Sequence, residues 1–305
     1  MQTAAHPRSL SPINRVGLSA SRETILHLLA FYRYLTVQQL LTLRYQPTSK
    51  TFVQETMKQL TDEGYVLRLW LPRRTRAGSV PAVYTLAPRG RRYLKARGTP
   101  FRLRFHTTEE QELSDLFLQH TLAVNDALIS FVLLTRAYPG ITIQRMLHDH
   151  ELKRTPIVVS LPSSRNGREE RIAVVPDGWL DLRYARGGKV CLALEIDRGT
   201  EAVSRWKRKA LAWCTASRSG YQEVFGTRSL FVCVLATPGQ RRVDELRRWT
   251  EEVLVQTGNQ DRAEYFRFAH LPTEPDPRRL FLGPSWQLPF TATPSPLLVP
   301  PEEYA

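Results

Sequence analysis

The sequence predicts an α/β protein in two parts: a small helical unit closed by a two-stranded hairpin, then a larger domain on a mixed sheet. Three observations carry this. Apolar residues recur at helical spacing over 21–35, 36–45 and 48–63, then give way to short strand-like runs. The stretch 64–104 holds eleven Lys and Arg and no Asp or Glu. Beyond residue 141, short apolar runs alternate with helical patterns, as expected when helices cover a sheet.

A chain of 305 residues has material for roughly two domains. The expected division is a lead-in over 1–19, a helical unit over 20–104, an α/β domain over 105–271 and a Pro-rich tail over 272–305. The formal charge of +14 points to a polyanion, either nucleic acid or an anionic membrane surface. No apolar run is expected to span a bilayer, no lipidation signal is present, and MQTAAHPRSLSP lacks the apolar core of a signal peptide. The chain is therefore expected to be cytoplasmic, with no membrane partner. Cys191, Cys214 and Cys233 lie far apart, outside metal-ligand spacing, and read as buried thiols in a reducing compartment.

Residues 1–19 are unpatterned and read as a mobile lead-in. In the first helix Ile25, Leu28, Leu29, Tyr32 and Leu35 share a face, and His27 beside it reads as a partly buried scaffold residue. The second helix turns Val37, Leu40 and Leu41 inward. The third is expected to bury Phe52, Val53, Met57 and Leu60, with Thr48 and Ser49 as N-cap residues and Gly64 as its stop. Strands over 65–71 and 83–86 flank a basic turn, and a helix starts at Pro88.

Three helices followed by a hairpin resemble a winged helix-turn-helix. The resemblance rests on Leu60 to Val66 and on Tyr84 to Leu94, with Ala87 where that family carries Thr. It implies a double-stranded DNA partner. Ser49, Lys50, Gln54, Lys58 and Gln59 lie opposite the apolar face and suit base edges or phosphates. Arg73, Arg74 and Arg76 on the wing suit phosphate or the minor groove. An acid-free surface attracts phosphate and releases counterions. A solvated charge run, or a module that binds only protein, stays open.

The second part opens with a long helix expected over 107–137, begun by Thr107-Thr108-Glu109-Glu110. Leu113, Leu116, Phe117, His120, Val124, Leu128, Phe131 and Val132 follow a 3–4 spacing and should pack on the sheet. His120, Asn125 and Asp126 interrupt it, either as ordinary helix polarity or, for Asn125 or Asp126, at the edge of an active site. A strand is expected over 141–145. His148, Asp149 and His150 follow, but no third ligand stands at a standard interval from the His pair, so they read as a polar loop. Residues 160–171 read as a polar loop or hairpin.

The chemistry concentrates over 173–214. A short apolar run ends at Pro176-Asp177, strands cover 179–184 and 190–196 around Arg186-Gly187-Gly188, and a helix from Thr200 buries Val203, Trp206, Ala210 and Cys214. Such a hairpin sets Asp177 beside Glu195. Two carboxylates on adjacent strand ends can share a hard cation such as Mg²⁺, and phosphodiester hydrolysis also needs a Lys. The pattern resembles the restriction-endonuclease-like core, Pro-Asp…(Asp/Glu)-x-Lys. Pro176-Asp177 and Glu195 match; position 197 is Asp, so the Lys is expected from the following helix, Lys209 or Lys207. Asp197 is either a third carboxylate on the cation or an ion-pair partner of Arg198. The missing Lys favours binding over cutting.

The remainder reads as a strand over 229–236 broken by Pro238-Gly239, a helix over 241–257 burying Val243, Leu246, Trp249 and Val253, a strand over 264–271, and a mostly irregular tail pinned by Trp286. Nucleotide-binding Gly loops and nucleophile elbows are lacking.

From about Glu23 onward the chain resembles the plasmid replication-relaxation proteins. The resemblance rests on the winged helix, HTLAVND at 120–126, PDG at 176–178, LEIDRGTE at 194–201, and Lys209 with Trp213. It implies a DNA-associated protein of plasmids or other mobile elements. The expected function is DNA binding through the winged helix. The alternatives are a Mg²⁺-dependent endodeoxyribonuclease using Asp177, Glu195 and Lys209, and a protein-interaction scaffold. Replication or mobilisation proteins and a second copy of the chain are further candidate partners.

Overall fold

The computed structural model describes residues 17–71, 81–99, 114–162, 168–218, 220–274 and 276–301. The N-terminal unit runs α1 (Ala20–Tyr32), β1 (Leu35–Thr36), α2 (Val37–Arg44), α3 (Lys50–Asp62), β2 (Val66–Trp70), β3 (Ala82–Leu86) and α4 (Pro88–Ala96). Its strands form an antiparallel sheet in the order β1-β3-β2. Thr36 starts α2 with a capping box: its Oγ1 accepts from Gln39 N at 3.1 Å, and Gln39 Oε1 accepts from Thr36 N at 3.0 Å. Gly64, at φ 74°, ends the α3 segment in the left-handed region. Gly90 sits so close to the hairpin that a Cβ would lie 2.3 Å from Tyr65 O. Arg73, Arg74 and Arg76 fall outside the described residues.

Several local expectations change here. Phe52 is 49 % exposed and packs beside Tyr45; the buried face of α3 is Val53, Thr56, Met57 and Leu60. A helix turns about 100° per residue, so Phe52 lies outside the stripe that begins at Val53. Ser49 makes no side-chain cap, because a 3-10 turn, Pro47–Ser49, leads into α3. His27 is exposed rather than partly buried.

The long helix, α5 (Asp115–Ala137), starts later than expected, where Ser114 Oγ accepts from Phe117 N; residues 107–113 lie outside the described residues. By length and composition α5 is apolar enough to cross a bilayer, contrary to the expectation that no run is. Its apolar residues are instead core: Val124, Leu128 and Phe131 join one cluster with Leu180 and Leu192 of the sheet and Leu26 and Leu40 of the N-terminal unit. Leu116, in the first turn, stays 55 % exposed.

The five-stranded sheet has the order β10-β9-β8-β7-β4. Its strands are β4 (Ile141–His148), β7 (Gly178–Tyr184), β8 (Lys189–Asp197), β9 (Phe231–Ala236) and β10 (Phe266–His270). β4, β7 and β8 are successively antiparallel, whereas β8, β9 and β10 run parallel, so the sheet is mixed and the class is α/β. The polar stretch before β7 folds as a separate hairpin, β5 (Ile157–Pro162) with β6 (Glu169–Val174). The segment expected as a polar loop at His148 is the end of β4 plus a short helix, α6 (Asp149–Leu152).

Strand alternation sorts the two faces. Leu180, Leu182, Leu192 and Leu194 face α5. Trp179, Cys191 and Ala193 face the opposite layer, built from α7 (Val203–Ala216), α8 (Gly220–Phe225) and α9 (Gln240–Gln256). Val203 opens α7 at 43 % exposure instead of being buried. All three cysteines are free and buried.

The Pro-rich tail is built into the core. A π-helical turn, Arg278–Leu282, stacks Phe281 on Phe131 with ring centroids 4.0 Å apart. Trp286 is fully buried and donates from Nε1 to Leu280 O at 2.6 Å.

Candidate functional site

β8 is the central strand, and its last residues present carboxylates in alternation. Leu194 turns toward α5, so Glu195 turns toward α7. Asp177 stands just before β7 and is tied to the same strand: its N–H donates to Leu194 O at 2.8 Å, and its Oδ2 accepts from Ile196 N at 2.7 Å. The hairpin register thus brings the two carboxylates together, as the sequence reading expects.

Glu195 is 1 % exposed. Its Oε1 accepts from Trp213 Nε1 at 2.7 Å, and its Oε2 faces the Lys209 ammonium as an ion pair without hydrogen-bond alignment. Lys209 and Trp213 are four residues apart, hence on one face of α7. His120 of α5 completes the cluster, with Nε2 3.1 Å from Asp177 Oδ1. Sequence reading recorded His120 as a polar interruption and as the start of the HTLAVND segment, without a site role. The available signals were an ionisable ring within an apolar helix stripe and its place in that segment.

The electrostatics follow from burial and pairing. Burial pushes the Glu195 carboxyl upward and the Asp177 charge adds to this, against the opposing pull of Lys209. Burial also works against charge on Lys209, but Glu195 and Asp177 outweigh it and hold the ammonium above its usual range. Asp177 is lowered: burial would raise it, but the His120 hydrogen bond and the Lys209 charge prevail. Burial depresses His120, yet its bond to Asp177 and that residue's charge leave it raised.

The other candidates lie elsewhere. Lys207 pairs with Glu252 at 2.6 Å. Asp197 is bound bidentately by Arg242, at 2.7 and 3.1 Å, and accepts from Gly199 N; Arg198, its expected partner, reaches instead to Gln119 and Leu116 O on α5. Asp126 accepts from Gln39 Nε2 at 2.7 Å, on the seam with the N-terminal unit, and burial raises it to about 6. Asn125 donates to Tyr32 O and Tyr34 O on that seam. A cleft of about 310 Å³ opens beside Lys209, between β6 and the Arg205, Arg208 and Lys209 side of α7.

On the N-terminal unit, Lys50, Gln54, Lys58 and Gln59 are exposed on α3 and Ser49 is half-buried. Lys50, Gln54 and Lys58 repeat every four residues and so form one exposed stripe that flanks the buried face of Val53, Met57 and Leu60. Neither lysine pairs with a carboxylate among the described residues. On β2, Arg68 stacks over Trp70, which is 62 % exposed. Part of the acid-free run is used internally: Arg89 donates to Glu63 O, and Arg97 meets Tyr93 and Glu23.

No curated protein and no solved structure matches the chain. The model of one family, described as replication-relaxation, matches residues 26–229, a span that runs from α1 through Asp177, Glu195 and Lys209 to the approach of β9. With two thirds of its length so matched, the chain belongs to the replication-relaxation family.

Proposed function

We propose that this replication-relaxation protein acts by binding double-stranded DNA, of a plasmid or other mobile element, through an N-terminal winged helix-turn-helix. Membership of the family supports a role connected with replication. The observation that carries the DNA reading is the α3 stripe of Lys50, Gln54 and Lys58, exposed on the helix that follows α2 and precedes the hairpin. The test is fluorescence anisotropy of the full chain with labelled duplex. Affinity should fall on the order of a hundredfold or more as salt rises from about 50 to about 200 mM. Binding that ignores salt would leave only a protein-interaction module.

A second reading is favoured by one specific observation: Asp177, Glu195 and Lys209 converge, on the element order helix, three antiparallel strands, helix, parallel strand. This supports a restriction-endonuclease-like core. The donor set fits a hard divalent cation, since both carboxylates are oxygen ligands held on the ends of adjacent strands. Asp177 and Glu195 would hold Mg²⁺, which polarises a phosphodiester and activates water. Lys209 is then placed to stabilise charge on phosphate, and His120 to hold a proton at Asp177. Asp197, spent on Arg242, is spare to neither task. Supercoiled plasmid should be nicked with Mg²⁺ or Mn²⁺ and left intact by Asp177→Ala and Glu195→Ala. Intact plasmid with the unaltered chain leaves the DNA-binding reading alone in place.

A further inference from the structure

Where β4 passes into α6, three potential ligands stand in succession: His148, Asp149 and His150. His148 is 1 % exposed, and its Nε2 lies 3.0 Å from Asn125 Oδ1. Asn125 uses its Nδ2 on the carbonyls of Tyr32 and Tyr34, which turns its Oδ1 toward His148. The hydrogen must therefore sit on His148 Nε2. In the neutral ring Nδ1 then keeps a lone pair; as the cap of α6 it accepts from Asp149 N at 3.0 Å, a contact that a metal ion would replace, and it lies 2.7 Å from Asp149 Oδ1. A lone pair and a carboxylate oxygen at that distance repel unless a positive centre is shared between them.

His150 supplies a third ligand to the same spot. Its ring stacks on that of His148, its side chain is 13 % exposed, and its buried Nδ1 has no hydrogen-bond partner. That nitrogen is 3.9 Å from Asp149 Oδ1, and the ligand atoms of the three residues all fall within 4.8 Å of one another. Lys153 occupies the other Asp149 oxygen, Oδ2, leaving Oδ1 to face the two imidazoles.

We propose that His148 Nδ1, Asp149 Oδ1 and His150 Nδ1 form a binding site for a divalent transition metal of the Zn²⁺ class. Two imidazoles and one carboxylate suit Zn²⁺ rather than Mg²⁺, which prefers oxygen throughout. The Asn125 bond at Nε2 is the kind that holds a ligating imidazole in the right tautomer and orientation. The missing third ligand of the sequence reading is thus the residue between the two histidines, brought to bear because His148 caps α6 while Asp149 and His150 form its first turn. The ion would brace α5, β4 and, through Asn125, the end of α1. It would also sit near the carboxylate pair, since His148 is in register with Gly178, the neighbour of Asp177. The site does not depend on either reading of function.

The test uses the full chain, freed of metal by chelator and titrated with Zn²⁺ by calorimetry and with Co²⁺ by absorption. One equivalent of Zn²⁺ should bind, and the Co²⁺ spectrum should lack thiolate charge-transfer bands, which separates the site from the three buried cysteines. His150→Gln and Asp149→Asn should each weaken binding by about tenfold or more with the far-UV circular dichroism unchanged. Asp177→Asn should leave the stoichiometry as it is. No uptake of Zn²⁺ would overturn the proposal and assign the positive centre to a proton on His148. Uptake undiminished in both variants, or lost in Asp177→Asn, would overturn it equally.

Discussion

Gln39 of α2 donates a 2.7 Å hydrogen bond to the Asp126 carboxylate of α5, across the seam between the N-terminal unit and the α/β domain. The same side chain closes the capping box of α2 through Oε1 and reaches Leu122 O through Nε2. Both ends of one glutamine are therefore committed, one to a helix start and one to the neighbouring domain. Asn125 donates to Tyr32 O and Tyr34 O beside it, and Arg136 reaches Leu43 O. The helix α2, one step before the proposed DNA-reading helix, is thus attached to the helix that also carries His120.

Stability should depend on pH through Asp126. Its unfolded carboxyl titrates near 3.8; in the fold burial, partly offset by the Gln39 bond, raises it to about 6. The folded state holds the proton more tightly, so this contribution is full below the unfolded value and is lost as pH rises through the folded one. Asp126→Asn keeps an acceptor for Gln39 and removes the charge. The variant should gain about 1–2 kcal/mol at pH 8, a figure reduced for the group's partial exposure, and nothing at pH 4. Urea melts at the two pH values check this.

Lys209→Met should cost more stability than Glu195→Gln. Removing the ammonium leaves a 1 % exposed carboxylate with only Trp213 as donor, which costs about 3 kcal/mol at pH 8. Because the Glu195 carboxyl is already raised, protonation should recover part of that loss at pH 6. Glu195→Gln keeps the Trp213 bond and lets the lysine, 32 % exposed, turn to water, so its cost should be about 1 kcal/mol. Thermal denaturation of both variants at the two pH values is the measurement.

Lys50→Ala and Lys58→Ala should each reduce the salt slope of duplex binding by about 1 and weaken binding across all sequences alike, as phosphate contacts do. Gln54→Ala should instead narrow the difference between preferred and other sequences, if it meets a base edge. All three positions are exposed, so melting temperatures should not move. Anisotropy titrations at several salt concentrations separate the two kinds of residue.

Trp286→Ala should destabilise the α/β domain by about 3–5 kcal/mol in a denaturant titration. The indole is fully buried, bonded to Leu280 O, and lies in the same cluster as Phe131 and Leu192. A tail that merely lay on the surface would cost less than 1 kcal/mol to alter.

The proximity of Asp177 and Glu195 was legible because a hairpin with a Gly187-Gly188 turn has few registers, and both glycines do take positive φ. The helices α2 and α3 were legible from spacing, since helical neighbours sit three or four residues apart. Phe52, Leu116 and Val203 were misread for a related reason. Each is an apolar residue in the first turn of its helix, where periodicity cannot say whether another element stands opposite. The partner of Asp197 was out of reach altogether: Arg198 is adjacent, yet Arg242, 45 residues on, takes both oxygens.

By itself, then, the amino-acid order determined the succession of elements, the mixed α/β class and the carboxylate pair at the strand ends, because these depend on near neighbours and short turns. Only the tertiary structure decided that Lys209 and not Lys207 meets Glu195, that His120 meets Asp177, that Asp149 joins two histidines, and that the Pro-rich tail is core. Those outcomes turn on which helix face lies over which strand end. That is settled by packing among segments tens of residues apart, for which local periodicity carries no signal.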